Sequence, residues 1–180
     1  MRAYLLLLTA WLLSGIVVPG APVRERTSFP AGWQGDWAGT LHVLRGADTL
    51  HRVPMRLTIA AADSGRFTWA IGYGDVGADE RPYLLLPVSG EPSRWRVDER
   101  NGIVLEAALH GGVLYSRFAV MGNLLLTRDE VRGDTLYHEI VSGRAAGTAT
   151  GDTVLPNGDT IPPVERYPVA TRQVARMVRR

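Results

Sequence analysis

Apolar and polar positions alternate with a period of two through most of the chain after residue 36, and helical periodicity is nearly absent. Trp37, Gly39, Leu41 and Val43 alternate before Gly46-Ala47-Asp48 turns the chain. Val53, Met55, Leu57 and Ile59 repeat the pattern against Arg52, Arg56 and Thr58, as far as the turn Asp63-Ser64-Gly65. Phe67, Trp69, Ile71 and Tyr73 then give one aromatic face. A polar loop at 74–80 precedes a short apolar run at 83–88, where Pro87 lacks a ladder donor and marks an edge or a bulge. Trp95 and Val97 alternate with Arg94, Arg96 and Asp98, and Asn101-Gly102 has the positive-φ tolerance that a two-residue hairpin turn needs. Runs at 103–109, 114–120, 124–129 and 136–140 follow, separated by glycine-bearing turns. A segment at 167–177 reads as a last strand that closes the sheet. Nine or ten short antiparallel strands must hide their edges by closing or by stacking. Sequential hairpins with short loops predict an all-β, up-and-down barrel of about 9–10 strands. A β-sandwich is the alternative.

The domain boundaries come from composition. Residues 1–20 read as a signal peptide: a positive start at Met1-Arg2, an apolar run over 4–18, and Val18-Pro19-Gly20 as the exit. A spanning helix needs ~20 apolar residues, so no integral membrane segment is expected in the mature chain. The protein is therefore expected to be exported, periplasmic or secreted. Residues 21–28 are a charged, proline-bearing linker, 29–177 form one domain, 143–163 is a long Gly/Thr/Asp/Pro-rich loop, and 178–180 is a basic tail. There is no cysteine to form a disulfide or carry a lipid. A mature chain of about 160 residues buries enough surface without one.

Charge removes one class of function. All 20 basic residues are arginine, set against 18 acidic ones. Losing Arg2 with the signal leaves 19 against 18. Arg172, Arg176, Arg179 and Arg180 sit at the C-terminal end, so the preceding body is slightly acidic. A body of that balance offers no broad footprint for nucleic acid.

Gly35-Asp36-Trp37, at the entry to the first strand, resembles the Gly-x-Trp signature of lipocalins and related calycin-type barrels. The resemblance implies a nearly continuous meander around a ligand cavity, with Gly35 and Trp37 as the structural plug of the closed end. It also suggests Arg172 as the late arginine that stacks on that plug. The C-terminal helix usual in lipocalins has no counterpart here. The chain is also similar to small exported bacterial barrels with no assigned activity.

Candidate chemistry is sparse. His42, His51, His110 and His138 are not spaced as a metal motif, and no cysteine can join them. His42 has outward parity, whereas His138 shares parity with Leu136 and Ile140 and faces inward. There it is either a hydrogen-bonded interior histidine or a ligand for haem or a metal. No nucleophile-elbow motif occurs. Asp79-Glu80, Asp98-Glu99 and Asp129-Glu130 are adjacent carboxylates whose members point to opposite faces of a strand. Asn157-Gly158-Asp159 is turn chemistry without the acidic ladder of a calcium loop. No catalytic residue and no metal site is assigned. The candidates for lining a cavity are Arg56, Trp69, Tyr73, Tyr83, Trp95, Arg96, Tyr115, Arg117 and His138, with Tyr137 among the aromatics. The competing expectation is that the aromatics simply fill the barrel. The chain thus reads first as an exported, non-catalytic barrel for a small apolar or amphipathic ligand. A partner-binding envelope module that uses the 143–163 loop is the second reading, and a haem or metal barrel centred on His138 is the third. Haem at His138 is the one cofactor contemplated.

Overall fold

The computed structural model describes residues 28–180; the expected signal peptide and all but the last residue of the linker lie outside the described residues. Ten long strands close into one antiparallel barrel. They are β1 (Gly35–Arg45), β2 (Asp48–Ile59), β3 (Phe67–Tyr73), β4 (Asp79–Val88), β5 (Glu91–Asp98), β6 (Val104–His110), β7 (Val113–Val120), β8 (Asn123–Arg132), β9 (Thr135–Arg144) and β14 (Thr171–Arg179). The up-and-down meander closes by β14 inserting between β9 and β1. Closure pairs every long strand on both sides and leaves the barrel without an open edge.

The expected alternation sets the register. Leu57 lies opposite Trp37 and Ile71, and Leu136 lies opposite Val131 and Met177, so the apolar sets meet on one inner face. Pro87 falls where the β4–β5 register shifts, the bulge that its missing N–H favours. Gly39 is required by a close approach. A Cβ there would sit 2.3 Å from the Arg176 carbonyl oxygen of β14.

Three boundaries differ from the sequence-based expectation. The strand that ends the barrel runs to Arg179, so Val178 and Arg179 belong to β14 and not to a basic tail. Asn101-Gly102 does not form a two-residue hairpin. The Asn101 side chain caps the Ile103 N–H and the Glu99 N–H reaches the Ile103 carbonyl, which makes a longer loop with Arg100 and Gly102 at positive φ. The 143–163 region is not a plain loop. It carries β10 (Thr148–Thr150), β11 (Thr153–Val154) and β12 (Thr160–Ile161), and with β13 (Val164–Arg166) just beyond it pairs β10 with β13 and β11 with β12 as a narrow two-stranded arm.

One end of the barrel is sealed. The short helical turn Ala31–Trp33 places a fully buried Trp33 beneath the strands. Phe29 meets Trp33 and Trp95 edge to face at 4.7 and 5.1 Å, and Trp33 stands 6.4 Å from Trp69. Such aromatic pairs add to the burial of their area. The buried layers above them comprise Trp37, Leu57, Ile59, Leu85, Val131, Leu136 and Met177. At this end the sequence-based alternative of a filled interior holds.

Candidate binding site in the barrel interior

The plug is built from both chain ends. Trp37 is buried, and its indole Nε1–H donates to the Trp33 carbonyl at 2.9 Å. The Arg179 guanidinium stacks over the Trp37 ring at 4.4 Å and donates to the carbonyls of Gln34 (2.5 Å) and Gly32 (3.1 Å). Arg179 therefore does what was expected of Arg172. Residue 179 lies directly opposite Trp37 in the β1–β14 register, whereas residue 172 lies opposite Leu44 near the other end and pairs with Glu139 on the outer surface. Gly35 adopts a positive φ of 141°, with the Arg179 side chain packed over the place its Cβ would take.

The inner face changes character along the barrel axis. In the sealed half, inward positions such as Leu41, Met55, Leu57, Ile71, Ala107, Leu114, Ala175 and Met177 are buried. In the other half, residues of the same inward register are only half-buried: Val43, Val53, Tyr73, Tyr83, Val97, Leu105, Phe118, Leu125, Thr127, Ile140 and Gln173. The boundary between them is polar. His138 and Asp129 lie opposite one another on β9 and β8, both buried, with Nδ1 of the ring 2.7 Å from Asp129 Oδ1. A carboxylate accepts, so Nδ1–H donates, while Nε2 is buried and has no hydrogen-bond partner. The next inward positions, Ile140 and Thr127, already belong to the half-buried layer. The His138–Asp129 pair is thus the polar floor of a cup. Buried Ser116, which donates to the Glu106 carbonyl at 2.6 Å, continues the floor.

Tyr73 rises from β3 on the far side of the cup. Its hydroxyl is pushed up to about 12, mainly by burial, with further upward contributions from Tyr83, Asp129 and Asp79 and a downward one from Arg81. Arg81 stacks on the Tyr73 ring at 4.8 Å and is held by Asp79 at 3.0 Å. A phenol and the buried imidazole therefore share the interior with apolar walls, and an exposed guanidinium–carboxylate pair stands at the mouth. This is the composition of small-molecule pockets.

Four of the nine cavity candidates are displaced by register. Arg56, Arg96, Tyr115 and Arg117 have the opposite parity to Met55, Trp95 and Ser116, so they face outward and cannot line the interior. Arg56 instead bonds Glu80 and the Gly74 carbonyl, and Arg96 pairs with Glu106. Tyr115 lies beside His110 on the outer wall, and Arg117 is exposed. Tyr137 also faces out, between Arg132 and Arg176. With His42, Arg128, Arg172 and Arg176 it lines an outer groove of about 540 Å³. Trp69 and Trp95 face inward but belong to the sealed base. Tyr73, Tyr83 and His138 remain in the cup. Asp129 was seen in the sequence only as half of an adjacent carboxylate pair. Alternation does split that pair, placing Asp129 inside and Glu130 outside between Arg128 and Arg132.

Among the described residues, no group of three or more His, Cys, Asp or Glu side chains is placed to hold a metal ion. Haem iron at His138 would require its packed Nε2 to be uncovered.

The fold and the interior define a closed, ten-stranded antiparallel barrel, packed at one end and half-buried toward the other. No family model matches the chain, and no curated protein matches it. A solved structure does resemble it: a protein of unknown function from the DUF3598 family of Nostoc punctiforme, with a TM-score of 0.58 and 16% identity. The match covers 89% of this chain and 53% of that one, so this chain spans about half the length of its structural neighbour. At that identity the likeness is one of fold.

Proposed function

We propose that this protein is an exported, non-catalytic, lipocalin-like barrel that holds a small amphipathic ligand in the open half of its interior. One observation carries the reading. Most inward-facing residues of the sealed half are buried, whereas those toward the mouth, from Val43 and Val53 to Ile140 and Gln173, are half-buried, so the packing loosens along the barrel axis. The walls of the open half are mainly apolar and aromatic. The level between the two halves is polar, set by the buried His138–Asp129 pair. An apolar ligand body against Tyr83, Val97, Leu105 and Phe118, with its polar group toward the His138–Asp129 level, is the chemistry that fits.

The test is native mass spectrometry of the exported protein against its denatured mass, followed by titration with an apolar fluorophore. Co-purified mass that is lost on denaturation, or saturable fluorophore binding abolished by Thr127→Trp, is the expected result. Chain mass alone together with fluorophore binding unaffected by Thr127→Trp would overturn the reading. In that case the β10–β13 arm, which exposes Val154, Ile161 and Val164, would favour the partner-binding module.

A further inference from the structure

The groove of about 540 Å³ on the outer wall runs over β1, β14, β9 and β8, outside the barrel interior. It owes its depth to small residues set among tall ones. Ala38 and Thr40 face outward on β1, opposite in parity to Trp37 and Leu41, with Gly39 between them. Ala38 is nevertheless buried, as is the outward Glu130 of β8, so larger side chains rise over both. A volume of this size lies within the range of small-molecule sites.

Register fixes what faces the groove. One row across the sheet reads Thr40, Arg176, Tyr137 and Glu130. The next row toward the mouth reads His42, Val174, Glu139 and Arg128. Arg132 stands one row nearer the sealed end, and Arg172 one row nearer the mouth. Neighbours within a row are about 5 Å apart and successive rows about 7 Å, so these side chains converge on one trough.

Charge then selects the occupant. Arg172 is closed on Glu139 at 2.5 Å. Arg128 and Arg132 share the single carboxylate of Glu130. Arg176 makes no ion pair among the described residues and lies 5.9 Å from the Tyr137 ring. Four guanidiniums therefore meet two carboxylates, a surplus of two positive charges. The surroundings do not reverse that balance. Arg52, beside His42 on β2, is exposed and has no acidic partner among the described residues, and Arg56 is paired with Glu80. At the sealed-end edge Asp36 and Asp134 are matched in number by Arg179 and Arg180. A phosphate monoester carries about −1.5 to −2 charges at pH 7 and three acceptor oxygens, and guanidinium forks fit it bidentately.

We infer that the outer groove binds a small phosphate monoester, with Arg176 and Arg128 on the phosphate, the Thr40 and Tyr137 hydroxyls beside it, and Val174 against its organic body. The site lies on the opposite face of the sheet from the barrel interior and does not depend on the ligand proposed there.

Calorimetric titration of the purified protein with phenyl phosphate, in a buffer free of phosphate and sulfate, reads the site. One saturable equivalent per chain is expected. Arg176→Gln should weaken it by about tenfold or more. Thr40→Trp fills the trough without changing charge and should abolish binding, while urea midpoints near the parent's show that both variants remain folded. Arg96→Gln removes a guanidinium from the outer wall of β5, and Thr127→Trp fills the interior; neither should change the affinity. Benzoate, with the same ring and a single charge, should bind about tenfold more weakly. Absence of saturable binding, survival of binding in Thr40→Trp, equal losses in Arg96→Gln and Arg176→Gln, or benzoate as tight as phenyl phosphate would each overturn the inference. Loss in Thr127→Trp would do the same, because the anion would then be held inside the barrel.

Discussion

The His138–Asp129 pair is a buried polar contact in the barrel interior, and a double-mutant cycle measures what it contributes to stability and to the proposed binding. Both side chains are buried, and they satisfy each other through a single 2.7 Å contact. His138→Leu removes the donor and leaves a buried carboxylate without its partner, at an expected cost of about 3–5 kcal/mol. Asp129→Val leaves Nδ1–H unpaired beside an Nε2 that already lacks a partner, at about 1–3 kcal/mol. If the effects simply added, the double variant would lose about 4–8 kcal/mol, much of the stability of a domain this size. Replacing both partners by apolar groups of similar volume instead removes every polar atom that needs a partner. It joins the floor to the apolar layer of Leu41, Ala175 and Leu114, and is expected to fall within about 2 kcal/mol of the parent.

Urea unfolding followed by fluorescence of the buried Trp33, Trp37, Trp69 and Trp95 reads each variant. The coupling should exceed about 2 kcal/mol, with equal m-values across the set. A double variant as unstable as the sum of its singles would refute the reasoning, because the pair would then act through separate contacts and not as one mutually satisfied unit. A stable double variant that also retains the interior ligand would show that the pair is dispensable to binding. Retention of stability with loss of ligand is the expected combination.

Other consequences are sharper at single positions. Because Tyr73 ionises only near about 12 in the folded protein and near 10 when unfolded, its contribution is complete below pH 10 and is lost as pH rises toward 12. Tyr73→Phe should therefore remove an alkaline slope of up to about 1.4 kcal/mol per pH unit from denaturation curves taken between pH 10 and 12. The Glu130 carboxyl is held below its ordinary range, first by the bond from Arg132, against the opposing effect of burial, and then by Arg128. Its stabilisation is present above the ordinary glutamate range and fades as pH falls, so Glu130→Gln should flatten the acid limb of the stability profile. Arg179→Ala removes a stacked cation and two carbonyl contacts from the plug and should cost about 1–3 kcal/mol, while Arg172→Ala breaks an exposed ion pair and should stay within about 1 kcal/mol; melting temperatures separate the two.

Period-two alternation made the barrel legible, because a closed sheet buries one face of every strand and the inward set must then recur at every second residue. Trp37, Leu57, Trp69 and Leu136 could be placed inside on that ground alone. The same rule made Arg56, Arg96 and Arg117 outward once register was known, yet register depends on where each turn begins, and a one-residue slip reverses the face. The plug was half visible. Gly35 and Trp37 stand two positions apart in sequence, but the choice between Arg172 and Arg179 required the β1–β14 pairing, a contact across more than 130 positions. The pairing of Asp129 with His138 was hidden for the same reason. Nothing local links it to His138, and only the β8–β9 register brings them face to face. The Trp33 turn lies outside any alternating run, so periodicity carried no signal for it.

The uneven filling of the interior predicts where the barrel tolerates change. A packed layer loses transfer energy and gains a cavity when a side chain is truncated, whereas a half-buried wall beside open space loses little of either. Leu57 is fully buried against Trp37 and Ile71, so Leu57→Ala should cost about 2–5 kcal/mol. Val53 has the same inward register two rungs nearer the mouth and remains half-buried, so Val53→Ala should cost less than about 1 kcal/mol. Equal costs measured in parallel urea titrations would mean that the open half is as tightly packed as the base, and the cup would have no room for a ligand. A steep gradient means that the wall near the mouth can be altered without threatening the fold. A sealed aromatic base beneath an adjustable mouth is the arrangement a binding barrel needs.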